Sequence, residues 1–300
     1  MIPLLFPILA DTVACPVDLG TVYVHEWGVV CFEELGSEVV GVRWEPVPFL
    51  DEPPYDYSVE APVVWFHGSS CTGTFTVSTP EGWLTELYPR PDGTEGVFPP
   101  LVTSAEWSIR LDGPEPSEEE PIPTGGALPF EWAMEYWRGV PSRWLYRESD
   151  GFIDRFIYYE CGLPAGFGGL FKREEGSIVF DEGWSGEGLI LISGEMPGML
   201  PVHLEGEFEM PAIAGFRPAS PDSLREIVSG WAGGMLKPEE IDALWNTWEG
   251  KLFAPPGKWL LFPLPSEVTE RISTISFTPD DCWIEVVYER LFLGLIRIEG

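Results

Sequence analysis

The stretch TVYVHEWGVVCFE, Thr21–Glu33, decides how the chain is read. Val22, Val24 and Glu26 fall on one face, and Tyr23, His25 and Trp27 on the other. That is the alternation of a β-strand, not the spacing of a helix. The stretch holds one of three histidines, with a carboxylate beside it. Gly28 is expected to stop or kink the strand, because glycine inside a strand weakens it. His25 and Glu26 then point to opposite faces. One is expected at the core or its rim, satisfied by a hydrogen bond, and the other outward.

Working outward, short strands recur with Gly/Pro punctuation: Ser37–Trp44, Ala61–His67, Thr72–Ser78, Trp83–Tyr88 and Ala105–Leu111. That spacing indicates a sandwich-like arrangement. Residues 113–129, acidic and rich in proline and glycine, read as a linker or loop, whose Glu118–Glu120 run lacks the spacing of a calcium loop. A short helix is expected over Phe130–Gly139. Further strands are expected at Trp144–Tyr146, Phe152–Tyr159, Ser177–Phe180, Gly188–Ser193 and Val202–Phe208. Ser220 and Pro221 are cap and first residue of a helix with the stripe Leu224, Ile227, Val228 and Trp231, stopped at Gly233. A second helix starts at Pro238, carries Glu239 and Glu240 where the helix dipole favours acids, and ends at Gly250. Strands at Lys258–Phe262, Thr274–Phe277 and Trp283–Leu293 close the chain. The fold class is therefore mainly β, α+β overall. A β-sandwich-like region (11–112) leads to a second β-rich region (130–218) and a helix hairpin packed on a sheet (219–300).

The formal charge is −32, from 49 acids and 17 bases. Lysine occurs only at Lys172, Lys237, Lys251 and Lys258, so no basic face can form, and nucleic acid is excluded as a partner. Divalent cations, cationic partners and neutral glycans remain open, and a glycan or a cell-envelope component is the expected kind of partner. The chain has no glutamine, one asparagine (Asn246) and 31 prolines, habits of proteins from hot environments; the scarcity of lysine runs against that.

Residues 2–10, IPLLFPILA, resemble a signal-peptide core with cleavage after Ala10, and are too short to span a bilayer. A buried strand is the rival for that segment. Export makes the location extracytoplasmic: periplasmic, cell-surface or secreted. Cysteines stand at 15, 31, 71, 161 and 282 without any C-x-x-C, which in an exported chain suits disulfides. Cys15 also stands where a lipobox cysteine would, although Asp11 argues against that.

Catalytic motifs are missing. His25-Glu26 has Val29 where the zinc-protease motif needs its second histidine; G-x-S-x-G and Walker A are absent. The candidate ligand-binding residues are His25, Glu26, Trp27 and His67. No cofactor is predicted; a divalent metal is the one class left open, with His25, Glu26 and His67 as its only candidates. His203 reads as surface or structural. Thirty-six glutamates leave a glycosidase-type carboxylate pair open but unassignable, and Trp27, Trp65, Trp83 and Trp107 serve either as sugar platforms or as core.

Three ordered segments carry a resemblance: His25-Glu26-Trp27-Gly28, Ala61–Phe66 (APVVWF) and Pro80–Pro89 (PEGWLTELYP). They resemble an uncharacterised family of exported bacterial proteins with an N-terminal H-E-W-G-T-F-T stretch. The segment from Pro238-Glu239-Glu240 to Trp259–Phe262 is similar to that family's ending. This chain departs from it at Val29-Val30-Cys31 and at Trp65-Phe66-His67. The resemblance implies export and a shared fold and assigns no activity. The expectation is a non-enzymatic binding or envelope-associated role. The alternative is a hydrolase acting on an extracellular polymer such as a polysaccharide.

Overall fold

The structure, a computed structural model, describes residues 20–32, 57–98, 101–112, 130–163, 170–174, 177–182, 184–209, 215–253 and 256–298. The leader-like segment, Cys15, the expected strand Ser37–Trp44 and the acidic run Glu118–Glu120 lie outside these residues.

The described elements begin with β1 (Thr21–Phe32), β2 (Tyr57–Gly68), β3 (Cys71–Ser78), β4 (Trp83–Tyr88), β5 (Gly93–Phe98) and β6 (Leu101–Leu111). After one 3-10 turn come α1 (Met134–Arg138), β7 (Leu145–Tyr146), β8 (Ile153–Asp154), β9 (Phe156–Leu163), β10 (Phe171–Glu174) and β11 (Ser177–Phe180). Then follow β12 (Ser185–Ser193), β13 (Gly198–Glu205), β14 (Glu207–Phe208), β15 (Arg217–Pro218), α2 (Pro221–Ala232) and α3 (Pro238–Phe253). β16 (Gly257–Pro263), α4 (Ser266–Ile272), β17 (Thr274–Pro279) and β18 (Glu285–Ile298) complete the set. The fold is mainly β.

Fifteen of these strands form one sheet with the path β15-β13-β12-β16-β18-β1-β2-β9-β4-β6-β3-β17, and β5, β7 and β8 attached to it. The remaining three, β10, β11 and β14, form a small second sheet. β1 lies between β2, antiparallel, and the last strand β18, parallel. Hydrogen bonding thus runs through the stretches 11–112, 130–218 and 219–300. The sheet curls over on itself: Phe277 of β17 lies 5.4 Å from Phe66 of β2, and its N–H donates to Tyr288 Oη of β18 at 2.7 Å.

Two apolar layers result. One, inside the curl, holds Val22, Val24, Val64, Phe66, Phe75, Trp107 and Phe277. The other holds Trp27, Trp65, Leu291 and Leu293 of the sheet against Trp137 of α1, Leu224 and Val228 of α2, and Leu244, Trp245 and Trp248 of α3. The hairpin therefore packs on the sheet as its apolar stripes require. Ser220 caps α2, accepting from Ser223 N–H, and Gly233 ends it in the left-handed conformation at φ 57. α3 runs past Gly250 to Phe253, because the Leu252 side chain continues its buried face.

β1 differs from expectation at Gly28. It pairs with β18 in unbroken register from Thr21 to Phe32. The irregularity between Trp27 and Val29 comes from β2, which carries an extra residue around Ala61, a non-glycine at φ 52. Gly28 is needed for space: a Cβ there would come within 2.9 Å of the Phe292 ring. Nor does either member of the His25-Glu26 pair face outward. His25 is 4% exposed and Glu26 is 0% exposed, because helices cover one sheet face and the curl covers the other. β5, glycine-rich and mostly exposed, and the short α4 carry too little pattern to have been expected from sequence.

Candidate functional site

The parallel β1–β18 register places His25 beside Glu289 and Glu26 beside Arg290. Two consecutive residues of one strand thus meet complementary partners on opposite faces of the sheet.

On the curl side, Glu26 accepts from Arg290 Nε and from Tyr159 Oη. Arg290 also donates to Glu270 at 2.7 Å and to Ser273 Oγ at 2.9 Å, and the Ser273 hydroxyl in turn donates to Tyr159 Oη, 2.8 Å away. Burial raises the Glu26 carboxyl above its usual range; the Arg290 charge and the Tyr159 hydroxyl pull it part of the way back. Glu26 belongs to this ion pair and lies apart from the histidines, which corrects its candidacy as a metal ligand.

On the helix side, His25 and His67 converge. Antiparallel pairing sets His67 opposite Tyr23, diagonal to His25, and the two rings lie 4.6 Å apart. Between them sits Glu240, in the first turn of α3, fully buried. Its carboxylate lies 2.9 Å from His25 Nδ1 and 2.7 Å from His67 Nε2 and accepts the Lys237 backbone N–H at 2.7 Å. Beyond the trio, His25 Nε2 lies 2.9 Å from Glu289, and His67 Nδ1 lies 2.8 Å from Lys237 Nζ. Both His25 nitrogens thus face carboxylates, which only accept, so donation at both positions calls for the imidazolium form. Burial would push Glu240 up. The hydrogen bonds from both histidines, the His25 charge and the Lys237 N–H outweigh it and hold the carboxyl at about 2. Burial, only partly offset by Glu240, disfavours the charged form of His67.

Glu240 was legible only as a helix-dipole acid. Its position, three residues after Lys237, which immediately precedes α3, is also where a glutamate reaches back to the capping N–H. Its meeting with two histidines, 215 and 173 residues away, had no local signal. His25, His67 and Glu240 are the described group with donor atoms all within 4.8 Å of one another, able to hold a metal ion. Trp27 shares the face but is core, fully buried 5.9 Å from Trp65. Trp65 and Trp107 are buried as well, with indole N–H groups donating to Trp137 O and Pro89 O, while Trp83 is half-buried. His203 is exposed, 3.7 Å from Glu205.

A second polar cluster lies at the far end of α3. Lys251 Nζ bonds Glu60 at 2.9 Å, with Cys31 Sγ 3.5 Å away. Glu160 accepts from Tyr158 Oη, and burial together with the Glu60 and Glu86 charges pushes its carboxyl up to about 8. Burial also raises Glu86. Glu60 adjoins Ala61, at the bulge of β2.

No family model and no curated protein matches the chain. Among solved structures it is similar to the Fcho1 Mu homology domain of Danio rerio with bound Eps15 peptide. The identity is 6%, the TM-score is 0.33, and the alignment covers 93% of this chain and 96% of that one. A likeness at that level carries no argument about the site. No helix among the described residues is long and apolar enough to cross a membrane.

Proposed function

We propose that the protein is an extracytoplasmic binding protein whose ligand at the His25–His67–Glu240 cluster is a divalent transition-metal ion of the zinc class. The observation that carries this is the approach of two imidazoles and a carboxylate, from two strands and a helix, to within 4.8 Å. Two nitrogens and an oxygen are a donor set that zinc accepts. Glu289 at the far nitrogen of His25 matches the carboxylate that orients a metal-bound histidine. Binding displaces the protons that now join the histidines to Glu240, since ligands bind deprotonated. His67 binds through Nε2 once its ring proton sits on Nδ1, so the Lys237 ammonium has to turn away or give up its proton. Near-complete burial of the three side chains favours holding an ion over turning over a substrate. Export rests on the leader-like residues 2–10 and on the family resemblance. Metal analysis of the purified full-length protein tests the proposal. About one zinc-class ion per chain is expected, lost in Glu240→Ala and His25→Ala; failure to retain any ion after loading with zinc sinks it.

A second reading, hydrolysis of an extracellular polymer, rests on a different place. Glu160, held protonated at neutral pH beside Glu60 and Glu86, has the character of a general acid. Polysaccharide cleavage that is abolished in Glu160→Gln and intact in Glu240→Ala would favour it over the binding role.

A further inference from the structure

Side chains alternate along β1, so Cys31 shares the helix-facing side with Trp27 and Val29, and all three are buried there. Two other described cysteines face acids. Burial and the Asp280 and Asp281 charges push the Cys71 thiol up to about 11. Burial, with the Glu26 and Glu160 charges, raises Cys161 well above the usual thiol range. Cys31 instead has a cation at its sulfur: Lys251 Nζ donates to Cys31 Sγ at 3.5 Å. We infer that Cys31 and Lys251 are an oxidant-sensitive pair, in which a peroxide links the sulfur to the lysine nitrogen and staples α3 to β1.

Several contacts hold Nζ at the sulfur. Lys251 stands in the last turn of α3, beside the buried Leu252 and one turn after the buried Trp248. Its Nζ lies 5.0 Å from the Trp248 ring centroid. Glu60, at the bulge of β2, accepts from the same Nζ through both carboxylate oxygens, at 2.9 and 3.1 Å. The lysine is thus anchored from the helix side by an aromatic ring and from the sheet side by a carboxylate. Cys31 is 4% exposed, whereas the Lys251 side chain is 35% exposed, so solvent reaches the pair along the lysine. That suits a small neutral oxidant such as hydrogen peroxide. An ammonium beside a sulfur favours its thiolate, the form that attacks peroxide. Burial pulls the Lys251 ammonium down, and the Cys31 and Glu60 charges more than offset it.

The reaction consumes one hydrogen peroxide. The Cys31 thiolate attacks a peroxide oxygen, the O–O bond breaks, and Cys31 becomes a sulfenic acid with hydroxide as the leaving group. The hydroxide takes a proton from the Lys251 ammonium and leaves as water. Loss of the thiolate charge favours that transfer, because the Cys31 charge is one of those that hold the ammonium up. The neutral amine then attacks Cys31 Sγ. An S–N bond forms, the S–O bond breaks, and the departing hydroxide takes a second proton from the nitrogen. The products are a sulfenamide and two waters; the sulfur gives up two electrons and the peroxide takes them. A sulfenic acid condenses with a neighbouring backbone nitrogen by the same bond changes. The flexible four-carbon lysine stem closes the remaining gap by rotation.

The test treats the full-length chain with hydrogen peroxide in the presence of a chelator, then denatures, alkylates and digests it with trypsin without reductant. Mass spectrometry is expected to find one branched peptide joining the Cys31 and Lys251 segments, two hydrogens lighter than the sum of its parts and uncleaved after Lys251. Treatment with dithiothreitol should release the two segments. Lys251→Arg keeps a cation beside Glu60 but removes the amine that condenses. In that variant Cys31 should be trapped by dimedone as the sulfenic acid or advance to the sulfinic acid, with no cross-link. Cys31→Ser should give no cross-link either. Peroxide-treated wild type whose Cys31 is recovered alkylated and whose chain is cleaved after Lys251 overturns the inference. So does Cys31 recovered as a sulfinic or sulfonic acid beside an unmodified Lys251, or a cross-link from Cys31 to any other residue.

Discussion

At the N-terminal end of α3, Glu240 enters the sheet fully buried and is held at about 2. At the other end, beside Lys251, Glu160 is held at about 8. The helix and the sheet face are the same, and so is the sign of the burial effect. What differs is the supply of donors. Glu240 faces two imidazoles and a backbone N–H; Glu160 has the Tyr158 hydroxyl and two neighbouring glutamates. The local count of donors and charges, more than depth, decides whether a buried carboxylate is an anion.

The strongest way to break this contrast is Glu240→Ala, which strips the shared acceptor from two buried histidines. A loss of about 3–5 kcal/mol is expected in denaturant unfolding at neutral pH, together with the loss of bound metal. Wild-type stability is also expected to fall as pH drops from about 4.5 toward 2, because the folded pKa of Glu240 lies below the unfolded value; the full contribution is on the order of 3 kcal/mol.

Glu160 has the opposite sign. Its folded pKa lies above the unfolded one, so its stabilisation is full below about pH 4.5 and is lost as pH rises through about 8. Glu160→Gln, which cannot ionise, should match wild type near pH 4 and be more stable near pH 9, by on the order of 5 kcal/mol. Equal pH dependence in the two proteins would break the contrast at this end. Lys251→Met removes the cation beside Glu60 and should cost about 1–3 kcal/mol, less when combined with Glu60→Gln in a double-mutant cycle. The smallest effect sharpens the first end. Lys237→Met removes the ammonium at His67 Nδ1, leaves unfolding within about 0.5 kcal/mol, and should tighten zinc binding by roughly tenfold in a competition titration.

Alternation made β1, β2, β4 and most later strands legible, and caps made α2 legible, because these signals live within a few residues. The site was half legible. His25 and His67 stand out as two of three histidines. Glu240 was one glutamate among 36, and Glu289 was another. The pairing of His25-Glu26 with Glu289-Arg290 becomes visible only once β1 and β18 are known to run parallel in that register.

The sequence by itself determined the mainly β class, the two helices that cover one sheet face and the excess of acids over bases. Each follows from composition or from patterns a few residues long. Tertiary structure alone decided that Glu26 leaves the histidines for Arg290 and that Glu240 joins them. Those pairings depend on strand order and on the curl of the sheet, set by contacts between residues hundreds of positions apart.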